Sequence, residues 1–148
     1  MKWVLVALMV AAFSGAGVAF ASSLTVDSDD VTVFKNTLQA TTTTTSLTLT
    51  SIAEGEDGDA SATLGSTAVV APSGSVTYTV YDDDLCTSLY ATAGTVTVTA
   101  GVVPDSPPVN FPTAGSYYWR AAYSGDGYNQ PSFHCLSTPL VVNPPPGP

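Results

Sequence analysis

The sequence predicts an all-β fold, an antiparallel β-sandwich of about seven short strands. Segments in which apolar and polar residues alternate recur along the chain at intervals of roughly ten residues. Turns rich in glycine, proline and aspartate separate these segments. Only 10% of the residues are charged, threonine and valine are abundant, and no amphipathic helical repeat follows residue 21. Together these features favour strands over helices.

Residues 1–21 have the pattern of a helical secretory signal peptide. Lys2 supplies a positive start, an apolar run follows, and the small-x-small tripeptide that ends at Ala21 precedes Ser22. We expect cleavage between Ala21 and Ser22, so that the chain meets the membrane only transiently and is secreted or retained at the cell surface. The alternative is an uncleaved membrane anchor, because the apolar run is just long enough to cross a bilayer.

Residues 22–45 are interpreted as an extended or strand-forming lead-in. Two short alternating pieces lie at 24–26 and 31–34, and five consecutive threonines follow at 41–45. Threonine is β-branched and favours extended backbone, but a run of one residue type gives no packing pattern. We therefore predict that the run is a spacer in front of the domain.

The regular strand pattern occupies residues 46–143. Strands are predicted in SLTLTSI (46–52), ASATLGSTAVVA (60–71), SVTYTVYD (75–82), LCTSLYAT (85–92), TVTVTAGVV (95–103), SYYWRAAYSG (116–125) and TPLVVN (138–143). A turn at 93–94 separates the fourth strand from the fifth, and the prolines at 104–108 exclude a central strand there. About seven strands in a segment of this length is the count of an immunoglobulin-like sandwich. The proline-rich tail at 144–148 is expected to be extended.

Two strands supply the predicted core. Their inward-facing residues are Val76, Tyr78 and Val80 in the third strand and Tyr117, Trp119 and Tyr123 in the sixth. Tyr117 stands at the start of its strand, as the tyrosine of a tyrosine corner does. The alternative for Trp119 is an exposed platform on which a carbohydrate stacks.

Cys86 and Cys135 are predicted to form a disulfide, because both follow the predicted signal peptide and exported thiols pair in an oxidising compartment. Two cysteines and the single His134 are too few ligands for a zinc site. His134 adjoins Cys135, where we expect no catalytic role, and no nucleophile motif accompanies it.

Acidic residues cluster in two predicted turns. The first cluster consists of Glu54, Glu56, Asp57 and Asp59, and the second of Asp82, Asp83 and Asp84. We expect solvated turns. Weak calcium binding is the alternative for these carboxylates, although the spacing is not that of an EF-hand loop. Asp126 is expected to shape the turn before Gly127, and Arg120 to pair with an acid across the sheet.

The overall charge excludes some partners. With 12 acidic and three basic residues the net charge is −9, so phosphate backbones and anionic lipid surfaces are repelled and nucleic acid is not an expected partner. No phosphate loop, G-x-S-x-G or H-E-x-x-H motif occurs, and no enzymatic activity or cofactor is expected.

Four stretches resemble bacterial Ig-like domains, which are modules of secreted and cell-surface proteins. These are GSVTYTVYDDDLC, TAGTVTVTAGVVPDS, AGSYYWRAAYSGDGYNQP and the final C-x-S-T-P-L-V-V, and the resemblance covers residues 46–143. It implies an Ig-like, prealbumin-like sandwich in which the tyrosine-rich stretch is the penultimate strand. It also implies a non-enzymatic structural or adhesion module whose partner is a protein or a glycan.

Two other functions stay open at this point. The lead-in 22–45 alternates like a strand, so a filament subunit that donates this segment to a neighbour's sheet is one alternative. A carbohydrate-binding module that uses the tyrosine-rich stretch is the other.

Overall fold

The computed structural model describes residues 37–147, and every regular element in this range is a β-strand. The strands are β1 (Thr41–Leu47), β2 (Ser51–Ala53), β3 (Asp57–Gly58), β4 (Ala60–Ser66), β5 (Gly74–Tyr81), β6 (Leu89–Val98), β7 (Val109–Asn110), β8 (Gly115–Tyr123), β9 (Ser132–Cys135) and β10 (Leu140–Asn143). The predicted all-β class is thereby confirmed for the described range. The predicted signal peptide, its cleavage site at Ala21 and Ser22, and residues 22–36 of the lead-in lie outside the described residues.

The largest sheet contains six strands. Its order is β2-β10-β8-β5-β6, and β9 also pairs with β8. All pairings are antiparallel except that of β2 with β10. Strand β8 is the centre of this sheet, because it pairs with β10 through its first residues and with both β5 and β9 through its last.

Two smaller sheets supply the rest of the core. Strand β1 pairs with β4 over seven residues, and β3 pairs with β7 over two. Buried side chains from β4, and Phe111 just after β7, join those of the large sheet in one apolar cluster: Ile52, Ala60, Ala62, Val76, Tyr78, Val80, Val98, Phe111, Tyr117, Trp119, Ala121, Tyr123, Leu140 and Val142. The core therefore lies between strands of different sheets.

The threonine run forms strand β1 and is not a spacer. Thr43 and Thr45 are buried, and both hydroxyls are satisfied by β9: Thr43 Oγ1 lies 2.6 Å from Ser132 Oγ, and Thr45 Oγ1 donates to the carbonyl of His134 over 3.1 Å. A threonine presents a methyl group for packing and a hydroxyl for bonding, so the run can occupy a partly buried strand without an apolar residue. After Leu47 the chain leaves this sheet and enters the large one as β2.

Strand β6 runs through the turn that was predicted at 93–94. Its pairing with β5 shifts register at Tyr78/Thr79 and again at Val80/Tyr81, and Gly94 has a φ of +149°. These shifts are β-bulges, which accept an extra residue without ending the strand. The glycine thus marks a bulge, and two predicted strands are one.

Candidate functional site

The aromatic residues of β8 point into the core. Tyr117, Trp119 and Tyr123 are buried, and the exposed fraction of Trp119 is 0%. Val76, Tyr78 and Val80 of β5 are fully buried beside them. Because the indole is enclosed on all sides, Trp119 offers no platform for a carbohydrate. Its Nε1 has no hydrogen-bond partner among the described residues.

Tyr117 makes the hydrogen bond of a tyrosine corner. Its phenol donates to the carbonyl of Thr113, four residues earlier, over 2.9 Å. The ring centroid lies 4.7 Å from that of Phe111 and 4.7 Å from that of Tyr90, which also stack on each other. Burial raises the pKa of the Tyr117 phenol. This side chain fastens the loop before β8 to the strand.

The predicted disulfide is confirmed. Cys86 and Cys135 are bonded with their Cα atoms 6.2 Å apart, and no free cysteine lies in the described range. Cys86 has a positive φ of 54°, a conformation that few non-glycine residues adopt. The bridge joins the loop after β5 to strand β9.

Asp83 shapes the loop that carries Cys86. Its carboxylate accepts hydrogen bonds from the backbone N–H groups of Leu85, Thr87 and Ser88 and from the Thr87 hydroxyl. The bond from Ser88 leads the effects that lower the pKa of Asp83. Three adjacent aspartates in the sequence predict a solvated turn. The structure shows in addition that Asp83, the middle one, fixes the loop through its hydrogen bonds.

Asp126 holds three segments together. Its carboxylate accepts from Ser73 N at 2.7 Å, Tyr128 N at 2.8 Å and the Tyr123 phenol at 3.1 Å. Asn129, which is fully buried, donates to Asp126 and accepts from Ser66 of β4. The Tyr128 N–H is the foremost of the bonds that lower the pKa of Asp126. Besides shaping its own turn, Asp126 therefore bonds Ser73, just before β5, and is linked to β4 through Asn129. The role of Asn129 was not predicted.

The first acidic cluster is used in local hydrogen bonds. Glu56 accepts from Ala53 N, Asp57 from the Asn110 amide and Asp59 from the Thr48 hydroxyl. Within residues 37–147 no three metal-ligating side chains lie close enough together to hold an ion. The calcium alternative for Glu54, Glu56, Asp57 and Asp59 therefore has no support from the arrangement of these carboxylates.

His134 is a structural acceptor. Its Nδ1 lies 3.0 Å from the backbone N of Thr45, which donates to it. Since Thr45 also bonds the carbonyl of His134, one residue of β9 receives two hydrogen bonds from one residue of β1. This use of the imidazole was not predicted.

Arg120 stacks on an aromatic ring instead of pairing with an acid. Its guanidinium carbon lies 4.4 Å from the centroid of Phe133, and Nη1 donates to the Tyr81 phenol over 3.4 Å. Nε is buried and has no hydrogen-bond partner among the described residues. Among residues 37–147 Arg120 does not form the expected ion pair with an acid, and its contacts there are a cation–π contact with Phe133 and a hydrogen bond to the Tyr81 phenol.

Arg120 belongs to a surface of polar and apolar side chains that we call the outer face. Residues that are paired across neighbouring strands lie on the same face of a sheet. In β8, β5, β6 and β9 the residues that alternate with the core residues therefore lie on the face opposite the core. The outer face consists of Thr77, Thr79, Tyr81, Leu89, Thr95, Tyr118, Arg120, Ala122 and Phe133. Phe133 is 64% exposed and Leu89 57%. This face is the candidate interaction site.

No family model matches the chain, and neither does any curated protein or solved structure. The resemblance to bacterial Ig-like domains therefore stays a prediction. In the part of the chain that the structure describes, no helix has the length and apolar character needed to cross a membrane.

Proposed function

We propose that the protein is a non-enzymatic, secreted or cell-surface module with an Ig-like β-sandwich, and that it serves as a structural or adhesion element. The observation that carries this proposal is the Cys86–Cys135 disulfide. Structural disulfides persist in oxidising compartments, and small exported domains depend on them because their cores are small.

The arrangement of the sheets supports the sandwich. Strands β1 and β4 place Thr45, Ala60 and Ala62 in the interior, while β5 and β8 bury their alternate residues in the same cluster. Two sheets that each bury one face against the other are what defines a β-sandwich. The tyrosine corner at Tyr117 is a further feature of Ig-like folds.

The outer face supports the adhesion role. Phe133, which stacks on the guanidinium of Arg120, and Leu89 expose apolar surface on this face. Leu85, in the loop that carries Cys86, is 76% exposed. Aromatic and arginine side chains are enriched where proteins bind proteins. We therefore propose a protein partner for this face.

The test of this proposal is the state of the full chain in the cell. The chain with its first 21 residues intact is expressed in a bacterium, and the cell fractions are examined by mass spectrometry. We expect a mature N-terminus at Ser22, recovery outside the cytoplasm and no free thiol. A chain that starts at Met1, stays in the cytoplasm and has two free thiols would overturn the proposal.

The glycan alternative is tested separately. The exported chain and a Phe133→Ser variant are applied to a glycan array and to immobilised extracellular proteins. Binding to protein that requires Phe133 supports the proposed surface. Binding to glycans alone would replace the adhesion module with a carbohydrate-binding one.

A further inference from the structure

One end of the molecule exposes apolar side chains from several loops. The connection between β4 and β5 (67–73), the turn after β6 (99–102) and the connection between β8 and β9 (124–131) all lie at this end, and β1 begins beside them. Together with the segment before β1 they expose five large hydrophobic side chains, which we call the apolar end: Leu38, Val69, Val70, Val102 and Tyr128.

Hydrogen bonds hold these segments against one another. The backbone N–H of Gly101 donates to the carbonyl of Pro72 over 2.8 Å, which joins the turn after β6 to the first connection. The bond from Ser73 to Asp126 joins the first connection to the one between β8 and β9. Backbone bonds of Gln39 join the segment before β1 to that same connection. The apolar end is therefore one preformed surface.

The acidic residues lie mostly at the opposite end. Strand β5 runs away from the apolar end for eight residues, roughly 25 Å, before it reaches the three aspartates at 82–84. The first acidic cluster precedes β4, which runs toward the apolar end. Within the loops of the apolar end only Asp126 is charged, and its carboxylate is engaged in hydrogen bonds. Because salt screens charges beyond about 8 Å, the net charge of the chain does not describe this end.

The side chains of the apolar end protrude. Val69 is 105% exposed, as a side chain that nothing in the molecule covers, and Val102 is 69% exposed. Two copies pair through one end only if its surface is complementary to itself, which protruding tips are not. Valine is also under-represented among the residues that supply the binding energy of protein interfaces. A lipid layer adapts to a protruding shape, and tyrosine, here Tyr128, is enriched where membranes meet water.

The point at which the chain enters the fold agrees with a lipid partner. Thr37 is the first described residue, and Gln39 already bonds the connection between β8 and β9. The predicted signal peptide is therefore connected to the molecule at its apolar end. During export that peptide would tether the precursor to the membrane by this end.

We propose that the apolar end inserts shallowly into a lipid bilayer. Val69, Val70 and Val102 enter the boundary of the acyl chains, while Tyr128 stays at the level of the headgroups. The loop backbone also stays at that level, since its polar groups need water or headgroups as partners. The attraction is hydrophobic and requires no anionic lipid. This contact is separate from the outer face, which stays free for a protein partner.

Insertion is tested on the exported, mature protein with vesicles of phosphatidylcholine alone. We expect the protein to sediment with the vesicles, and added sodium chloride should not weaken the binding because no ion pair contributes. The Val69→Ser/Val102→Ser variant should bind at least about tenfold more weakly, since it removes apolar surface. Leu49→Ser/Val141→Ser removes exposed apolar side chains outside the apolar end and should bind like the parent. A parent that does not bind, or equal losses in the two variants, would overturn the proposal.

A second measurement places a reporter in the apolar end. Trp119 is fully buried and gives a constant background, so Tyr128→Trp adds an indole whose emission can be followed separately. With phosphatidylcholine vesicles we expect this added emission to shift to the blue and to be quenched by brominated acyl chains. An added emission that does not respond to the vesicles would refute insertion.

Other occupants of the apolar end give different results. Oligomers that form without lipid and disappear in Val69→Ser/Val102→Ser would assign this end to pairing of two copies and refute the lipid proposal. Binding to immobilised extracellular protein that requires these valines, with no binding to vesicles, would refute it as well. A protein that ignores lipid but is exported and binds protein through Phe133 would end this inference and leave the proposed function intact.

Discussion

The phenol of Tyr117 donates a hydrogen bond to the backbone carbonyl of Thr113 over 2.9 Å. The bond is made at the edge of the core, so its loss removes one partly buried hydrogen bond. We expect Tyr117→Phe to lower the free energy of unfolding by about 1 kcal/mol in urea titrations. Tyr118→Phe is the matched control, because the Tyr118 hydroxyl makes no hydrogen bond among the described residues. Equal losses for the two variants would contradict the tyrosine corner.

Removal of the disulfide should destabilise the protein strongly. Cys86 and Cys135 are 49 residues apart, and closing a loop of that length reduces the entropy of the unfolded chain by an amount worth about 4 kcal/mol. We expect the Cys86→Ser/Cys135→Ser double variant to lose stability of this order in urea unfolding. The parent protein treated with reductant should match it. An unchanged midpoint would show that the bridge adds nothing.

The fluorescence of Trp119 should be that of an indole shielded from water. Its exposed fraction is 0%, so its fluorescence in the folded protein should be blue-shifted and resistant to quenching by iodide. Trp119→Ala should cost about 3–5 kcal/mol, since it leaves a large cavity in the core. A red-shifted, readily quenched emission that disappears in Trp119→Phe would place this side chain in water.

Asp126 should make the protein sensitive to acid. Hydrogen bonds from backbone N–H groups hold the pKa of this carboxyl below its ordinary value of about 3.9. A lowered folded-state pKa stabilises the fold above the unfolded-state pKa, and this stabilisation is lost as the pH falls below about 4. We expect Asp126→Asn to be less stable than the parent protein at pH 7. Its melting temperature should also fall less than that of the parent when the pH is lowered below about 4. Asp84→Asn removes an equal charge and serves as the control.

Two tyrosines should make the protein sensitive to base. Burial raises the pKa of Tyr78 and of Tyr123 to about 12, with Asp105 and Asp126 respectively adding to the effect. The folded state keeps these phenols neutral, whereas the unfolded chain loses their protons near pH 10. The folded state therefore has its full stability below about pH 10 and loses stability as the pH rises toward 12. Phenolate absorbance should therefore show a late titration step coupled to unfolding. Tyr78→Phe should shrink that step, and a complete titration near pH 10 without unfolding would contradict the burial.

Alternation of apolar and polar residues was sufficient to predict β5, β8 and β10. In β5 and β8 every second residue is apolar or aromatic, and these residues form part of the core. The disulfide could be predicted as well, because an exported chain with two cysteines has only one way to pair them. These features depend on local sequence or on simple counting.

Features that depend on tertiary contacts could not be predicted. A glycine signals a turn and a bulge equally, so the continuity of β6 through Gly94 is decided by its pairing with β5. The burial of Thr43 and Thr45 depends on Ser132 and His134, which lie far away in the sequence. Nothing near Arg120 in the sequence indicates that its partner is the ring of Phe133.

The parallel pairing of β2 with β10 has a consequence for a protein under tension. Val141, Val142 and Asn143 pair with Ser51, Ile52 and Ala53, so tension that acts on the start of β2 and the end of β10 slides these strands past each other. The hydrogen bonds between them then share the load and break together instead of unzipping one by one. Because Cys86 and Cys135 are covalently bonded, the residues between them cannot be extended, and the unfolded chain is shorter by their length. Single-molecule pulling should accordingly give a shorter extension before reduction than after it, and equal extensions would contradict this picture.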